Sequence, residues 1–401
     1  MIKEIKISNF LSFKEETLTI DHAPTVLVGI NGSGKSNIFK VLKLLQEGVS
    51  GIGLKAFVID KLGGIDNIRY KSMETVDKPV KLQFKLNANI LKNYGFNFTN
   101  DVIYEIKLHE RPNISNFSVE ELIKSETGFI YLDFNRGSGH LNEKTEIANQ
   151  QQRPKTELVR YADFIEPSEL ALSKIYDTDR YYALTTIRKA IADMVVYDYF
   201  DTTSHSAIRK PMLPTSGKRL SPNGSNLPQI LNTIKIEYKQ SYQDIVCRLN
   251  EVNPNFSGFD FNYIGGNIEL MLDEKNLNSS IHVSSISDGT LRYLCLLAIL
   301  CNPNRGSLVC IEEPETGLHP DMITGIGKLI DEVSTKSNII FSTHSARLLN
   351  SFEVENIRVI EKDENNASII FQYTSKDFEG WYEEFSLETM WRNGDLGGNR
   401  W

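Results

Sequence analysis

The segment Gly29-Ile30-Asn31-Gly32-Ser33-Gly34-Lys35-Ser36 decides the fold, because it fits the pattern GxxxxGK[ST] between a predicted strand and a predicted helix. Residues 25–28 are an apolar run typical of a buried central strand, and residues 37–47 have apolar positions at helical spacing. The glycines let backbone N–H groups turn inward around phosphates. Lys35 supplies a positive charge and the Ser36 hydroxyl can bind Mg²⁺. An idle glycine turn is the less favoured interpretation.

An apolar strand that ends in two acids lies further along the chain, Leu308-Val309-Cys310-Ile311-Glu312-Glu313. A strand ending beside the glycine-rich segment would place Glu312 near Mg²⁺ and its waters. Glu313 could then accept a proton from an attacking water. Two adjacent carboxylates repel each other and lose hydration when buried, so a functional role is favoured over a solvated strand end.

Two more segments place polar groups at the end of an element. In Ser285-Ile286-Ser287-Asp288-Gly289-Thr290, Ser287 is a candidate N-cap of the apolar helix that follows. A serine, a glycine and a helix start also form an anion-binding end. His344 follows the predicted strand at 338–341 and could contact the transferred phosphate and hold the attacking water. Either segment alone has an ordinary structural explanation, but their order along the chain favours a common site.

The middle of the chain has a different pattern. Residues 80–134 contain VKLQFKL, VIYEIKL and FIYLDF, which predict a layer of short antiparallel strands. Residues 137–180 are polar and predicted to be rich in loops, apart from a helix at 168–175. Further helices are predicted at 183–194 and 226–249, with a mobile loop between them.

Strands and helices alternate again from about residue 258. The predicted elements there are helices at 290–300 and 320–333, strands at 308–311 and 338–341, and a last β pair with a hairpin turn at 361–364. The sequence therefore predicts an α/β fold interrupted by an inserted α/β middle region.

The bulk composition excludes several classes of protein. The 401 residues are 40% hydrophobic and 24% charged, with a formal net charge of -8, which argues against a protein coated in basic surface but not against a local basic groove. The four cysteines have no metal-site spacing and predict buried thiols in a reducing compartment. We find no signal-peptide pattern and no run near the roughly 18 apolar residues of a membrane span. These features predict a cytoplasmic protein without a membrane segment.

Together the four motifs resemble those of the ABC-type ATPases, within their SMC and RecF-like branch. The segment Asn9-Phe10-Leu11-Ser12-Phe13 looks like that branch's opening segment, which lies near the nucleotide base. The segment Pro314-Glu315-Thr316-Gly317-Leu318-His319-Pro320 is similar to the D-loop of OLD-type ATPases from prokaryotic anti-phage defence operons. The resemblance implies a P-loop NTPase fold with an ABC-type head, in which a mixed sheet is flanked by helices.

The resemblance also implies roles for individual residues. Glu313 would be the catalytic glutamate, His344 the switch histidine and Lys35 the phosphate-binding lysine. Ser36 and Glu312 would hold Mg²⁺, although the family more often has Asp at the position of Glu312. The residues expected to bind ATP are Gly29, Asn31, Gly32, Ser33, Gly34, Lys35, Ser36 and Asn37, with Ser287, Asp288 and Gly289 acting in trans from a second copy. An ATP-dependent homodimer follows from this arrangement, and larger assemblies stay open.

Departures from the family limit the resemblance to about residues 1–75 and 255–365. These residues form the predicted split ATPase head, with 76–254 as the insert and 366–401 as a C-terminal tail. We find no Q-loop glutamine near residues 62–67, no heptad arms, and too few residues after the last β pair for a Toprim nuclease domain. The aromatic and glycine-rich tail packs on its own domain or docks into a partner, and the composition slightly favours a partner.

Four functions are compatible with these motifs. The favoured one is an ATP-driven switch that controls a separate effector, such as a Toprim-like nuclease, in prokaryotic defence. The alternative is a RecF-like ATPase of DNA repair that binds DNA through a local basic patch, for which Arg209, Lys210, Lys218 and Arg219 are the candidates. A transporter motor and a self-contained nuclease are less favoured, because the middle insertion and the lack of a second metal constellation argue against them.

Overall fold

The structure is a computed structural model of the chain, and it describes residues 1–20, 24–71, 78–111, 116–144, 156–378 and 386–397. The chain divides into two compact units. Unit 1 consists of Met1–His22, Gly29–Met194 and Arg358–Gln372, and unit 2 of Ala23–Val28, Val195–Ile357 and Tyr373–Trp401. The sequence-based division into a split head, an insert and a tail stays a prediction.

The strands and helices are numbered in chain order. The strands are β1 Ile2–Phe10, β2 Phe13–Thr19, β3 Thr25–Val28, β4 Val80–Leu86, β5 Val102–Glu110, β6 Phe117–Ser125, β7 Ile130–Asn135, β8 Ser138–Lys144, β9 Thr156–Arg160, β10 Met194–Tyr197, β11 Phe256–Ile264, β12 Asn267–Glu274, β13 Ile281–His282, β14 Leu308–Glu312, β15 Ile339–Thr343, β16 Ile357–Lys362 and β17 Ser368–Gln372. The α-helices are α1 Lys35–Ser50, α2 Leu54–Ala56, α3 Ile65–Ile68, α4 Ala88–Leu91, α5 Tyr182–Ala192, α6 Leu227–Glu237, α7 Lys239–Val252, α8 Asp288–Leu300, α9 Pro320–Ser334, α10 Ala346–Leu349 and α11 Leu387–Asn393.

Unit 1 is built on an antiparallel sheet with the strand order β2-β1-β4-β5-β6-β7-β8-β9. In β4 every second residue is buried, from Val80 to Leu86, as expected for a strand with one face on the core. Helices α1 and α5 pack against each other, and the β16–β17 hairpin completes the unit. The predicted β layer and the last hairpin are confirmed, but the turn lies at 363–367, because Glu361 and Lys362 are the last residues of β16.

Three predictions for the middle region are wrong. β6 was missed, because Glu121 is buried in it and breaks the apolar alternation. β8 and β9 lie in the stretch that was predicted to be loop-rich. The helix expected at 168–175 is only a 3-10 turn at Ala171–Lys174, whose backbone N–H groups are bonded by the Glu121 carboxylate.

Unit 2 contains the parallel strands. β15 lies between β14 and β3, with the register Glu312↔Ser342 and Thr343↔Val28. The carboxyl ends of all three strands therefore meet at one edge, which in open α/β sheets is where ligands bind. The glycine-rich segment begins at the next residue, Gly29. An antiparallel sheet, β11-β12-β13, is separate.

Two sequence predictions concern buried residues, the cysteines and the tryptophan-containing tail. Three cysteines are buried as predicted, but Cys247 is exposed. Trp391 on α11 is buried, and Asn350 beside α10 exchanges two hydrogen bonds of 2.9 Å with Glu388. Docking of Trp391 into a partner is thus wrong, since the helix packs on its own unit; Trp381 and Trp401 lie outside the described residues. No helix in the described parts of the chain is long and apolar enough to cross a membrane.

Candidate functional site

The glycine-rich segment in unit 1 has a backbone that tolerates no side chain at two of its positions. A Cβ atom at Gly29 would lie 2.3 Å from the Ile360 carbonyl oxygen. At Gly34, where φ is +119°, it would lie 2.5 Å from Ser368 Oγ and 2.8 Å from Ser12 Oγ. The glycines are thus required by close packing as well as by the turn.

Helix α1 begins at Lys35 directly after this turn, and no side chain caps it. The first N–H groups of a helix have no partner within the helix and carry its positive dipole end. Lys35 Nζ donates to the carbonyl oxygens of Gly29 at 2.8 Å and Ile30 at 3.1 Å, which holds the ammonium group across the turn. The Ser36 hydroxyl is exposed. An uncapped helix start with a lysine across the loop fits a phosphate group.

The opening segment of the chain is bonded to the same loop. Ser368 Oγ donates to the Ser33 carbonyl oxygen and lies within hydrogen-bond distance of Ser12 Oγ, at 2.7 Å. Asn37 Nδ2 also donates to Ser12 Oγ, at 2.8 Å. Ser33 Oγ is buried and has no hydrogen-bond partner among the described residues. This serine network was not foreseen, because Ser368 is 335 residues away from Ser33.

The acidic strand end in unit 2 has an unusual backbone. Glu313 follows β14 with φ of +46°, in the left-handed region that residues other than glycine rarely adopt. Its N–H group donates to the carbonyl oxygen of Ser342 at 3.1 Å, which fixes the turn against β15. Such a conformation costs on the order of 1–3 kcal/mol and is found mainly at functional sites.

The turn brings Glu313 against the residue that follows β15. His344 Nε2 lies 3.2 Å from Glu313 Oε1, and both side chains are about one-third exposed, at 33% and 38%. Thr316 Oγ1 donates to the other carboxylate oxygen at 3.3 Å. A carboxylate that is bonded to an imidazole and open to solvent can accept a proton from a water molecule.

Glu315 orients this pair, and sequence reasoning gave it no role of its own. Its Oε1 atom accepts hydrogen bonds from Thr343 Oγ1 at 2.6 Å and from the N–H groups of His344 at 2.8 Å and Ser345 at 3.1 Å. Burial raises the pKa of Glu315, and these bonds oppose the rise. The only sign of Glu315 in the sequence was a third acidic residue, two positions after Glu312 and Glu313.

The segment before α8 is capped by its own side chains. Ser287 Oγ accepts from the Thr290 N–H group at 3.2 Å, which confirms the predicted N-cap. Asp288 in the first turn forms a 2.7 Å ion pair with Arg209, whose side chain is only 8% exposed. Arg209 also donates to the carbonyl oxygens of Thr202 and Val283. The negative charge of Asp288 is therefore paired with the positive charge of Arg209.

These contacts remove part of the predicted basic patch. Arg209 and Arg219 are bonded internally, the latter to the carbonyl oxygen of Asn304, so neither is a surface cation. Only Lys210 and Lys218 are exposed. The residues selected for the DNA-binding alternative therefore do not form a four-residue basic patch.

Helix α8 is also bonded to the Pro314–Pro320 segment. Arg292 Nη1 donates to the Thr316 carbonyl oxygen at 3.0 Å, and its guanidinium group lies 4.2 Å from the centroid of the Tyr199 ring. A Cβ atom at Gly317, where φ is +74°, would collide with this guanidinium group. Burial lowers the pKa of Arg292. Arg292 therefore links helix α8 to the segment that follows Glu313.

A resident metal site separate from these residues is not visible. In the described part of the chain, no group of three or more His, Cys, Asp or Glu side chains is arranged to hold a metal ion. Ser36 and Glu312 each offer one oxygen-bearing side chain, which is the donor type that Mg²⁺ prefers when substrate phosphates complete its coordination.

Residues 25–350 match the family described as AAA domain, putative AbiEii toxin, Type IV TA system. The chain belongs to this family. Two curated relatives are similar to it. The Old nuclease of Escherichia phage P2 is 24% identical over 96% of this chain and 63% of its own length. An uncharacterized protein of Methanocaldococcus jannaschii is 33% identical over 25% of this chain and 14% of its own length. The chain thus spans less than two-thirds of either relative.

Solved SMC head domains have the same fold. An SMC head bound to the C-terminal winged-helix domain of ScpA superposes with a TM-score of 0.60 at 13% identity, covering 94% of this chain and 99% of that one. The head with an extended coiled coil from Pyrococcus furiosus gives 0.58 at 12% identity, over 96% and 98%. The chain therefore has the α/β fold of an SMC-type head, as the motifs predicted, and it resembles the Old nuclease in sequence.

Proposed function

We propose that the chain binds and hydrolyses ATP as a switch that is completed when two copies meet head to head. The observation that carries this proposal is the Glu313–His344 pair, held at 3.2 Å by a left-handed backbone turn. A turn of that cost serves no purpose in a solvated strand end. The match to an ATPase family supports the choice of ATP as substrate.

ATP is proposed to bind at the glycine-rich segment. The phosphates would lie at the uncapped start of α1. The residues proposed to contact ATP are Gly29, Asn31, Gly32, Ser33, Gly34, Lys35, Ser36 and Asn37. Ser36 and Glu312 are the proposed ligands of Mg²⁺, which neutralises phosphate charge when it is bound. Lys35 would exchange the carbonyl oxygens of Gly29 and Ile30 for phosphate oxygens.

Hydrolysis is proposed to use Glu313 as the general base. Its carboxylate accepts a proton as water attacks the γ phosphate, which leaves ADP and phosphate as products. His344 orients the carboxylate and can donate a hydrogen bond to the phosphate, while Lys35 stabilises the developing negative charge. Glu315 acts only through His344 and is a positioning residue.

We propose that a second copy completes the ATP site with the residues at the start of its helix α8. Ser287, Asp288 and Gly289 would contact the γ phosphate held by the partner. Asp288 would repel an anion if it were unpaired, and Arg209 removes that repulsion. A homodimer that forms only with ATP follows, and several dimers can join into a larger assembly.

The biological role is proposed to be control of a separate effector in prokaryotic anti-phage defence, in the cytoplasm. The support is the sequence similarity to the Old nuclease of Escherichia phage P2. We infer that a Toprim-like nuclease acts as a separate partner, without involvement of a membrane. Binding of duplex DNA through the four candidate cations is not favoured, because two of them, Arg209 and Arg219, are bonded internally.

Phosphate release by the purified chain tests the enzymatic part of the proposal. Glu313→Gln should retain binding of a fluorescent ATP analogue but lose turnover by about 100-fold or more. Glu237→Gln, which changes an exposed glutamate on α6, should behave like the unaltered protein. Normal turnover of Glu313→Gln would exclude Glu313 as the base. Absence of nucleotide binding by both proteins would refute the proposal as a whole.

A further inference from the structure

Unit 1 contains a cavity of about 600 Å³ that none of the ATPase motifs uses. It lies among the β6–β7 turn, the start of α5 and the loop before β5. Its size is within the range of roughly 300–1,000 Å³ typical of small-molecule sites. The chemistry of the lining residues indicates which class of ligand the cavity would bind.

Aromatic rings form one side of the cavity. Phe96 meets Tyr182 edge to face at 6.0 Å between centroids, and Phe129 meets Tyr131 at 5.0 Å. Phe129 and Tyr182 are 44% and 45% exposed, so ring surface is open at the mouth. A Cβ atom at Gly95 would lie 2.8 Å from the Tyr182 hydroxyl oxygen, so a glycine there is what admits this ring. Open aromatic surface is a platform for stacking a planar ligand.

The rest of the lining includes the hydroxyl side chains of Thr99, Ser125 and Thr127 and a set of carboxamides. Three carboxamides, those of Asn97, Asn100 and Asn142, each offer both a donor and an acceptor. Arg180 is the one charged side chain among the described lining residues, and its Nε donates to Glu143 at 2.6 Å. The lining therefore provides paired donors and acceptors with one guanidinium group at the edge.

This chemistry excludes other ligand classes. A fatty chain would make no hydrogen bond with the carboxamides. An amine or a metal ion would require carboxylates, and the described lining has none. A nucleobase satisfies both halves of the cavity, because its faces stack on the rings and its edge pairs with the carboxamides.

We propose that this cavity binds a nucleobase, independently of the ATP site. The base comes either from a free nucleotide or from single-stranded DNA. Arg180 is placed to contact the attached phosphate in both cases. The cavity would then be a second ligand site, through which the chain could recognise a nucleic-acid signal.

Calorimetric titration of the full chain with adenosine, guanosine, cytidine and thymidine tests the proposal. Nucleosides lack the phosphates that the glycine-rich segment binds, so the ATP site contributes little heat. At least one nucleoside should bind. Phe129→Ala should weaken that binding on the order of tenfold, as expected for loss of one stacking ring. Phe164→Ala, which removes a ring that is 72% exposed and outside the cavity, should leave the affinity unchanged.

Further titrations identify the source of the base and guard against misfolding. Nucleoside monophosphates and single-stranded homo-oligomers should both bind more weakly to Phe129→Ala, and the tighter of the two identifies the source. Asn97→Ala, at an exposed position, should weaken binding without changing the unfolding temperature. Binding that is equal in Phe129→Ala and the unaltered protein would overturn the proposal. So would the absence of binding by nucleosides, monophosphates and oligomers at millimolar concentration.

Discussion

Two helix starts in this molecule are prepared for anions in different ways. The start of α1 has no side-chain cap, a left-handed glycine before it and a lysine as its first residue. The start of α8 is capped by Ser287 and carries Asp288, which is paired with Arg209. The start of α1 is open to phosphate within one chain, whereas the start of α8 is already bonded to side chains of its own chain. Under the proposed function, this difference lets one copy hold ATP alone and leaves the contact from α8 to a second copy.

Removal of the charge at the open start should have the largest effect. Lys35→Ala deletes the ammonium group that spans the loop. We expect ATP affinity to fall by about 100-fold or more, since charge-assisted bonds to phosphate are the strong ones. Equilibrium binding of a fluorescent ATP analogue measures it. Lys92→Ala, an exposed lysine elsewhere in unit 1, should retain normal affinity, and equal loss in both variants would contradict the assignment.

A change in the backbone turn before α1 should have the next largest effect on ATP affinity. Gly34→Ala forces a Cβ atom against Ser368 Oγ and Ser12 Oγ and strains φ. We expect ATP affinity to fall by about tenfold or more and the protein to be less stable. Gly32→Ala is the matched control, because Gly32 also has positive φ but has no atom within 4 Å of the added Cβ position. A similar loss in both variants would show that strain alone, without the collision, disrupts the loop.

At the start of α8, the ion pair between Arg209 and Asp288 can be broken by replacing Arg209. Arg209→Met leaves Asp288 unpaired, so the repulsion between Asp288 and the partner's phosphate returns. We expect ATP-dependent dimerisation to weaken by about tenfold at low salt. Asp288→Asn in the same background should restore most of the loss, as sedimentation velocity would show. Failure of this rescue would mean that Arg209 acts only by packing.

The cap of α8 should give the smallest effect. Ser287→Ala should lower the free energy of unfolding by about 1 kcal/mol, as loss of an N-cap does. Ser386→Ala removes the equivalent bond from α11 and should cost a similar amount in urea denaturation. Only Ser287→Ala should also weaken the ATP-dependent dimer. If the two variants dimerise equally well, Ser287 is a structural cap and nothing more.

The parts of the fold that were predicted correctly depend on local pattern. The strand, glycine turn and helix around Gly29 are contiguous, and the helix of α8 follows its own cap. What was missed depends on distant partners. Glu121 is tolerated inside β6 because Tyr104 and the backbone of Ala171, 50 residues away, bond its carboxylate. Periodicity within a segment carries no information about such partners.

In the candidate site, too, local motifs were predicted and contacts between distant residues were missed. The identity of Glu313 and His344 came from motif order, but their 3.2 Å contact depends on a left-handed turn that the residue type disfavours. Glu315 was overlooked because its three donors come from the end of β15, about 30 residues later in the chain. Arg209 looked like a surface cation until its partners in unit 2 were visible.

The most direct test of completion by a second copy is the solution mass of Glu313→Gln. Light scattering of this variant with ATP and Mg²⁺ should give twice the mass found without nucleotide, because bound ATP is not consumed and the two heads stay together. Lys35→Ala under the same conditions should stay at its nucleotide-free mass. A Glu313→Gln mass that is unchanged by ATP would contradict the account.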